Sequence, residues 1–169
     1  TSSTPASGGG NLRVEADHID LRGHSVFSGF AAGGTDPAIQ LRSTGDIRLV
    51  GMRFTDDTTT TTNAGSLTSL ADVAFHADQI YPATLTDFSV SVLGSEGRIL
   101  VGGGDATAIA PSAAGRLHLS AADIVQSGIL RAPFGEVDLD ASRQLTIAGG
   151  SITSTSGAGL TIPFGSTEF

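Results

Sequence analysis

The sequence predicts an all-β fold, a parallel β-helix (solenoid) of about seven turns with loop insertions. Three observations lead there. A pattern of about twenty residues repeats, apolar and polar residues alternate inside each copy, and small residues crowd the breaks between alternating stretches. The repeat is clearest in the last third. From Gly115 the chain reads GRLHLSAADIVQSGILRAPF, and from Gly135 it reads GEVDLDASRQLTIAGGSITSTS. Leu117, Leu119 and Ala121 align with Val137, Leu139 and Ala141, and a weaker copy opens at Gly159 with Leu160, Ile162 and Phe164.

Alternation of period two marks a strand with one buried face. Each copy holds a first such run and then two shorter apolar clusters. These are Ile124 and Val125, matched by Leu145 and Ile147, and then Ile129 or Leu130, matched by Ile152. Three short strands with Gly or small polar corners make one turn of a three-faced coil. Upstream the same frame places Leu12, Val14, Ala16, Ile19 and Leu21 inside. The next turns hold Ile39, Leu41, Ile47 and Leu49, with Met52 and Phe54 as weaker members. Val73, Phe75, Ala77, Ile80, Phe88, Val90 and Val92 follow, and then 99–101. Residues 1–11 read as a flexible, linker-like start, and 12–169 as one domain that continues in a parent chain. Insertions are expected near 24–37, 55–70 and 102–114. The stretch 66–77 has a helical look, but the Tyr81-Pro82 step behind it favours a strand and corner.

In such a coil each residue stacks on the one a turn later, so seven turns span about 30 to 35 Å. Stability comes from stacking, because one turn alone cannot offset its ordering entropy. On the outer face the alignment predicts Arg116 beside Glu136, His118 beside Asp138 and Ser120 beside Asp140.

Composition narrows function. A net charge of -8, with nine Arg and no Lys, argues against nucleic acid and against anionic membrane surfaces. No apolar run reaches the length of about 20 residues that spans a bilayer. Without cysteine there is no disulfide or thiol chemistry. His18, His24, His76 and His118 lack metal-ligand spacing, and there is neither a Gly-x-Ser-x-Gly elbow nor a phosphate-binding Gly loop leading into a helix.

The repeats quoted above, the passage ADQIYPATLTDFSVSV from Ala77 to Val92 and the run GLTIPFG from Gly159 resemble filamentous-haemagglutinin-like exoproteins. That resemblance implies a right-handed β-helix exported by the two-partner route through an outer-membrane transporter. It further implies a secreted or cell-surface location and a role in adhesion or biofilm. Partners would be surface receptors or glycans on host or neighbouring cells, and other copies in a filament. The family's Asn-Pro-Asn secretion motifs are not found in this sequence.

The expected function is therefore a structural shaft segment of a large secreted adhesin, with no enzymatic activity and no cofactor. The alternative is a β-helical carbohydrate-active enzyme or a tailspike-like polysaccharide-binding protein. It predicts a groove lined by Asp and Arg from at least three turns. Weak candidates for cation or sugar contact are Asp138 and Asp140, above His118; a solvated charged face is the simpler reading. Gly102-Gly103-Gly104-Asp105 echoes a Ca²⁺-binding repeat, but only once. Asp56, Asp57 and Thr58, at the head of a Thr run, form the loop expected to meet a partner. A single Tyr and no Trp leave few platforms for stacking sugars.

Overall fold

The computed structural model describes residues 7–32, 34–55, 61–106 and 108–161. The strands are β1 (Ser7–Gly10), β2 (Leu12–Ala16), β3 (Ile19–Arg22), β4 (His24–Phe27), β5 (Ile39–Ser43), β6 (Ile47–Val50), β7 (Met52–Thr55) and β8 (Thr61–Ser69). Then come β9 (Val73–Ala77), β10 (Ile80–Pro82), β11 (Thr86–Val92), β12 (Arg98–Gly103), β13 (Arg116–Gln126), β14 (Ile129–Arg131), β15 (Glu136–Ile147) and β16 (Ile152–Ser154). The fold is all-β, with no helix among the described residues, and its parallel strands form a curled layout. One sheet has the order β16-β14-β10-β6-β3. A larger sheet runs β2-β5-β9-β12-β13-β11-β8-β4, with β15 beside β13. Among the described pairs only β7 with β8 is antiparallel.

Register shows why these residues make these strands. Leu117 lies opposite Val137 and Leu119 opposite Leu139, in parallel, as the twenty-residue alignment requires. A second ladder runs through Leu12, Ile39, Val73, Ile99, Ile124 and Leu145. A third passes through Ile19, Ile47, Ile80 and Leu130. The larger sheet curls because β13 is shared: its first half pairs with β11 and its second half with β12. A register shift between Ala121 and Asp123 marks the bend, and the extra residue of β15 there is a bulge.

The inward residues of all three ladders meet in one core. Ile39, Leu41, Ile47, Leu67, Val73, Phe88, Val90, Ile99, Leu117, Ile124 and Leu130 are all buried. Each contributes about 1.5–3 kcal/mol relative to exposure. Val137 and Leu139, on the outermost strand, are half-buried. Spacing is tight at the corners. A Cβ on Gly135 would fall 1.8 Å from the carbonyl oxygen of Gly115 on the neighbouring strand, so the residue that opens the repeat has to lack a side chain. Leu85, Ala114 and Phe134 all adopt positive φ (54°, 54° and 56°), each three residues before an aligned core position, Phe88, Leu117 or Val137. One bend is thus repeated at three successive levels without glycine, at a conformational cost of about 1–2 kcal/mol each.

Several expectations need correction. The insertions near 24–37 and 55–70 are shorter than expected, because His24–Phe27 and Thr61–Ser69 are strands paired with each other. Their small polar residues hide the alternation. The start is not wholly linker-like: β1 is strand, with the Gly10 amide donating to Gly29 O (3.3 Å) and the Ala31 amide to Gly10 O (2.8 Å). Met52 is 52 % exposed, because β7 folds back on β8 outside the core. Ala16 is exposed. Val125 faces outward, and its neighbour Gln126 is the fully buried residue. Counting by two from Ile124 requires this. The Gln126 amide survives inside by donating to the carbonyls of Gly128 and Ile152, both at 3.1 Å. Among the described residues the longest ladder has six levels, and Ile162 and Phe164, of the weaker copy, lie outside the described residues.

The 102–114 insertion begins within β12, since Gly102 and Gly103 pair with His76 and Ala77. The chain then leaves the sheet at Gly104, and β10 pairs directly with β14 across the gap. It returns at Ser112, whose hydroxyl donates to Pro82 O at 2.5 Å.

On the outer side of the smaller sheet, Asp20 accepts hydrogen bonds from Arg48 Nε (2.9 Å) and Nη2 (2.8 Å) and from Arg22 Nη2 (2.7 Å). The bonded Arg48 guanidinium holds the Asp20 carboxyl down at about 2. An unfolded aspartate takes up its proton at about pH 4, so this stabilisation is complete above that pH and is lost as the pH falls toward 2. The Asp20 side chain is 26 % exposed, and solvent screening holds the gain to about 1 kcal/mol. Between about pH 5 and pH 2.5 the thermal midpoint of Asp20→Asn should therefore fall less than that of the parent. Equal falls in the two proteins would contradict this account.

Candidate functional site

Asp138 and Asp140 lie where the alignment put them, outward on β15 opposite His118 and Ser120. His118 Nδ1 is 2.9 Å from Asp138 Oδ2, and Arg116 Nε is 3.6 Å from Glu136 Oε2. Arg116, Glu136 and Asp138 are largely exposed and His118 is half-buried, and the four line a shallow depression of about 160 Å³ with Asp87 and Leu117. Exposed pairs of this kind contribute about 0–1 kcal/mol. Among the described residues no group of three or more His, Cys, Asp or Glu is placed to hold a metal ion. Asp56, Asp57 and Thr58 lie outside the described residues.

A larger concavity of about 690 Å³ lies elsewhere, along the corner between the two sheets. Its walls come from the strand ends that enter the corner. At the first level stand Glu15 and Asp17, at the second Arg42 and Thr44, at the third His76 and Asp78, and at the fourth Gly103, Gly104 and Asp105. Period two places Glu15, Arg42 and His76 in one outward column, since Glu15 pairs with Arg42 and Arg42 with His76. The corner residues behind them are held by hydrogen bonds from one level to the next. The Thr44 hydroxyl donates to Asp17 Oδ1 (3.1 Å), the Ser43 hydroxyl to Asp17 O (2.8 Å), and the Asp78 amide to Gly45 O (2.7 Å).

Four carboxylates against one guanidinium give this groove an acidic balance, with His76 beside them. Such walls offer hydrogen-bond acceptors and a few donors at a regular axial step, which suits a polar chain running along the stack. No aromatic residue lines it. Sequence reading missed this groove because it aligned strands and left corners unaligned. A signal was present: Glu15-Ala16-Asp17, Arg42-Ser43-Thr44 and His76-Ala77-Asp78 each place a long polar residue, a small one and a short polar one at the same register. Gly103-Gly104-Asp105, singled out for another reason, forms the far end.

Tyr81 is 5 % exposed although it faces away from the core, and burial pushes its hydroxyl pKa up. It stands in the column of Arg48 and outside the groove lining, so it is not available as a platform there.

No protein-family model, no curated protein and no solved structure matches this chain.

Proposed function

We propose that this chain is a right-handed parallel β-helical segment from the shaft of a large secreted filamentous adhesin, and that it is not an enzyme. The observation that carries the reading is the parallel register, in which apolar residues stack level on level in three ladders around one core. A shaft needs such a unit, because each level is stabilised by its neighbours and the length can grow without a new fold. The resemblance of the twenty-residue repeats to filamentous-haemagglutinin-like exoproteins supports the adhesive role. Export would use an outer-membrane transporter, and contacts with surface receptors or glycans would be weak singly and strong in number.

The corner groove favours a second reading, a β-helical polysaccharide-binding protein or carbohydrate-active enzyme, since acidic residues and Arg42 from four levels share one concavity. Two experiments separate the readings. Antiserum against the chain should label fibres on intact source cells and react with the culture medium; labelling only after lysis would remove the adhesin reading. Incubation with a panel of plant and bacterial polysaccharides should release no reducing ends. Release that disappears in Asp78→Asn would establish the enzyme instead.

A further inference from the structure

We infer that the corner groove holds a single extended chain of amino sugars, a partly acetylated β-1,4-linked glucosamine polymer lying along the strand stack. The inference rests on the polysaccharide-binding reading of that groove and names its ligand.

The groove is built from three neighbouring columns. Its floor is made of small residues, with Ala16 paired to Ser43 and Ala77 to Gly103, so no bulky side chain stands in the trough. One residue before the floor rises the column of Glu15, Arg42 and His76. One residue after it come Asp17, Thr44 and Asp78, and Asp105 closes the far end. Wall residues two apart along a strand are separated by about 6.7 Å. An α-helix, about 10–12 Å across with its side chains, is too wide for that trough, whereas one extended chain fits.

Charge narrows the chemistry. Glu15, Asp17, Asp78 and Asp105 against Arg42 repel a polyanion. Two of these groups are engaged within the chain: Glu15 accepts from Arg13, and Asp17 accepts from the Thr44 hydroxyl. Among the described residues Arg42, His76, Asp78 and Asp105 make no ion pair and no side-chain hydrogen bond. The groove therefore offers an unanswered guanidinium beside unanswered carboxylates. A ligand that meets both must carry cationic donors and neutral acceptors on one chain. Glucosamine supplies an ammonium for Asp78 and Asp105, and its acetylated neighbour supplies a carbonyl for Arg42.

The axial step agrees. Levels lie about 4.8 Å apart, and a β-1,4-linked chain advances by close to that distance per ring, so successive rings meet successive levels. An extended peptide repeats its side-chain direction only every two residues, about 6.7 Å, and falls out of step. Its backbone would also lack partners, because the wall strands spend their N–H and C=O groups on the parallel ladders.

The test is calorimetric titration of the whole chain at low salt with four probes: a half-acetylated glucosamine hexasaccharide, its fully acetylated form, hexagalacturonate and hexalysine. The half-acetylated hexamer should bind tightest. Asp78→Asn/Asp105→Asn should weaken it about tenfold or more, the loss of two charge-assisted hydrogen bonds, with circular dichroism unchanged. Glu96→Gln/Glu136→Gln, which removes two exposed carboxylates outside the groove, should leave it within about twofold. Arg42→Gln should weaken it too, although the groove becomes more acidic; attraction by net charge alone predicts a gain. A gain in Arg42→Gln, equal losses in the two carboxylate pairs, or tighter binding of hexalysine would overturn the proposal. If the fully acetylated chain or hexagalacturonate binds tightest and Asp78→Asn/Asp105→Asn abolishes it, the polysaccharide reading stands and the amino-sugar assignment falls. If no saccharide binds, both fall.

Discussion

Asp72→Ala should lower the free energy of unfolding by about 3–5 kcal/mol, the cost of breaking a buried ion pair from one side. Asp72 is 3 % exposed at the corner that leads into β9. Its Oδ1 accepts the backbone N–H of Arg98 (2.8 Å), and its Oδ2 accepts Arg98 Nε (2.7 Å) and Nη2 (2.7 Å). The same guanidinium donates to Gly34 O at 2.7 Å, so one carboxylate fixes the next strand and the 34–35 segment together. Removing it strands an amide and a guanidinium whose side chain is 29 % exposed, and that partial exposure favours the lower end of the range. Asp72→Asn keeps an acceptor for the amide and should cost less. Urea unfolding of the three proteins decides the matter, and a loss under about 1 kcal/mol for alanine would show that the clamp is only a surface pair.

The second large effect is expected at Gly65. Phe88 stands between Gly65 and Leu117 in one ladder and is 1 % exposed. A Cβ on Gly65 would lie 2.5 Å from both Cδ2 and Cε2 of the Phe88 ring, and 3.0 Å from Gly23 O on the other side. The ring has no room to retreat, so Gly65→Ala should cost about 1–3 kcal/mol through overpacking. Phe88→Leu alone should also destabilise, by leaving a void. Together the two changes should cost less than their sum, with a coupling of about 0.5–3 kcal/mol, because each relieves the other's defect. Additive losses in unfolding free energy would mean that the two residues do not share a column.

The stacking near the end of the chain was legible because it rests on two signals that agree. Period-two alternation and a constant offset of twenty pair Leu117 with Val137, and they place Arg116 and His118 against Glu136 and Asp138. Where either signal fails, reading fails too. In β4 and β8 the inward positions include Ser25, Gly65 and Ser69, which look like loop because the core there takes its bulk from Phe88 and its neighbours. Gln126 is polar, yet it is buried, because two backbone carbonyls at a corner accept its amide; no spacing rule announces that. The groove depends on corners, which come into line only once unequal insertions have been removed from between the strands. Asp138 and Asp140 fell where expected, while the acidic residues of the deeper concavity were not singled out together.

The central claim is that residues one repeat apart lie side by side in a parallel stack. Arg116 and Glu136 are exposed neighbours in register, whereas Asp140 lies four residues further along the same strand, about 13 Å away. In a chain without native cysteine, Arg116→Cys/Glu136→Cys should form an intramolecular disulfide in nearly every monomer on mild oxidation, with the strand signal in circular dichroism unchanged. Arg116→Cys/Asp140→Cys should stay reduced. If instead the pair separated by twenty-four residues closes and the pair separated by twenty does not, the strands are not stacked in this register and the shaft has no basis.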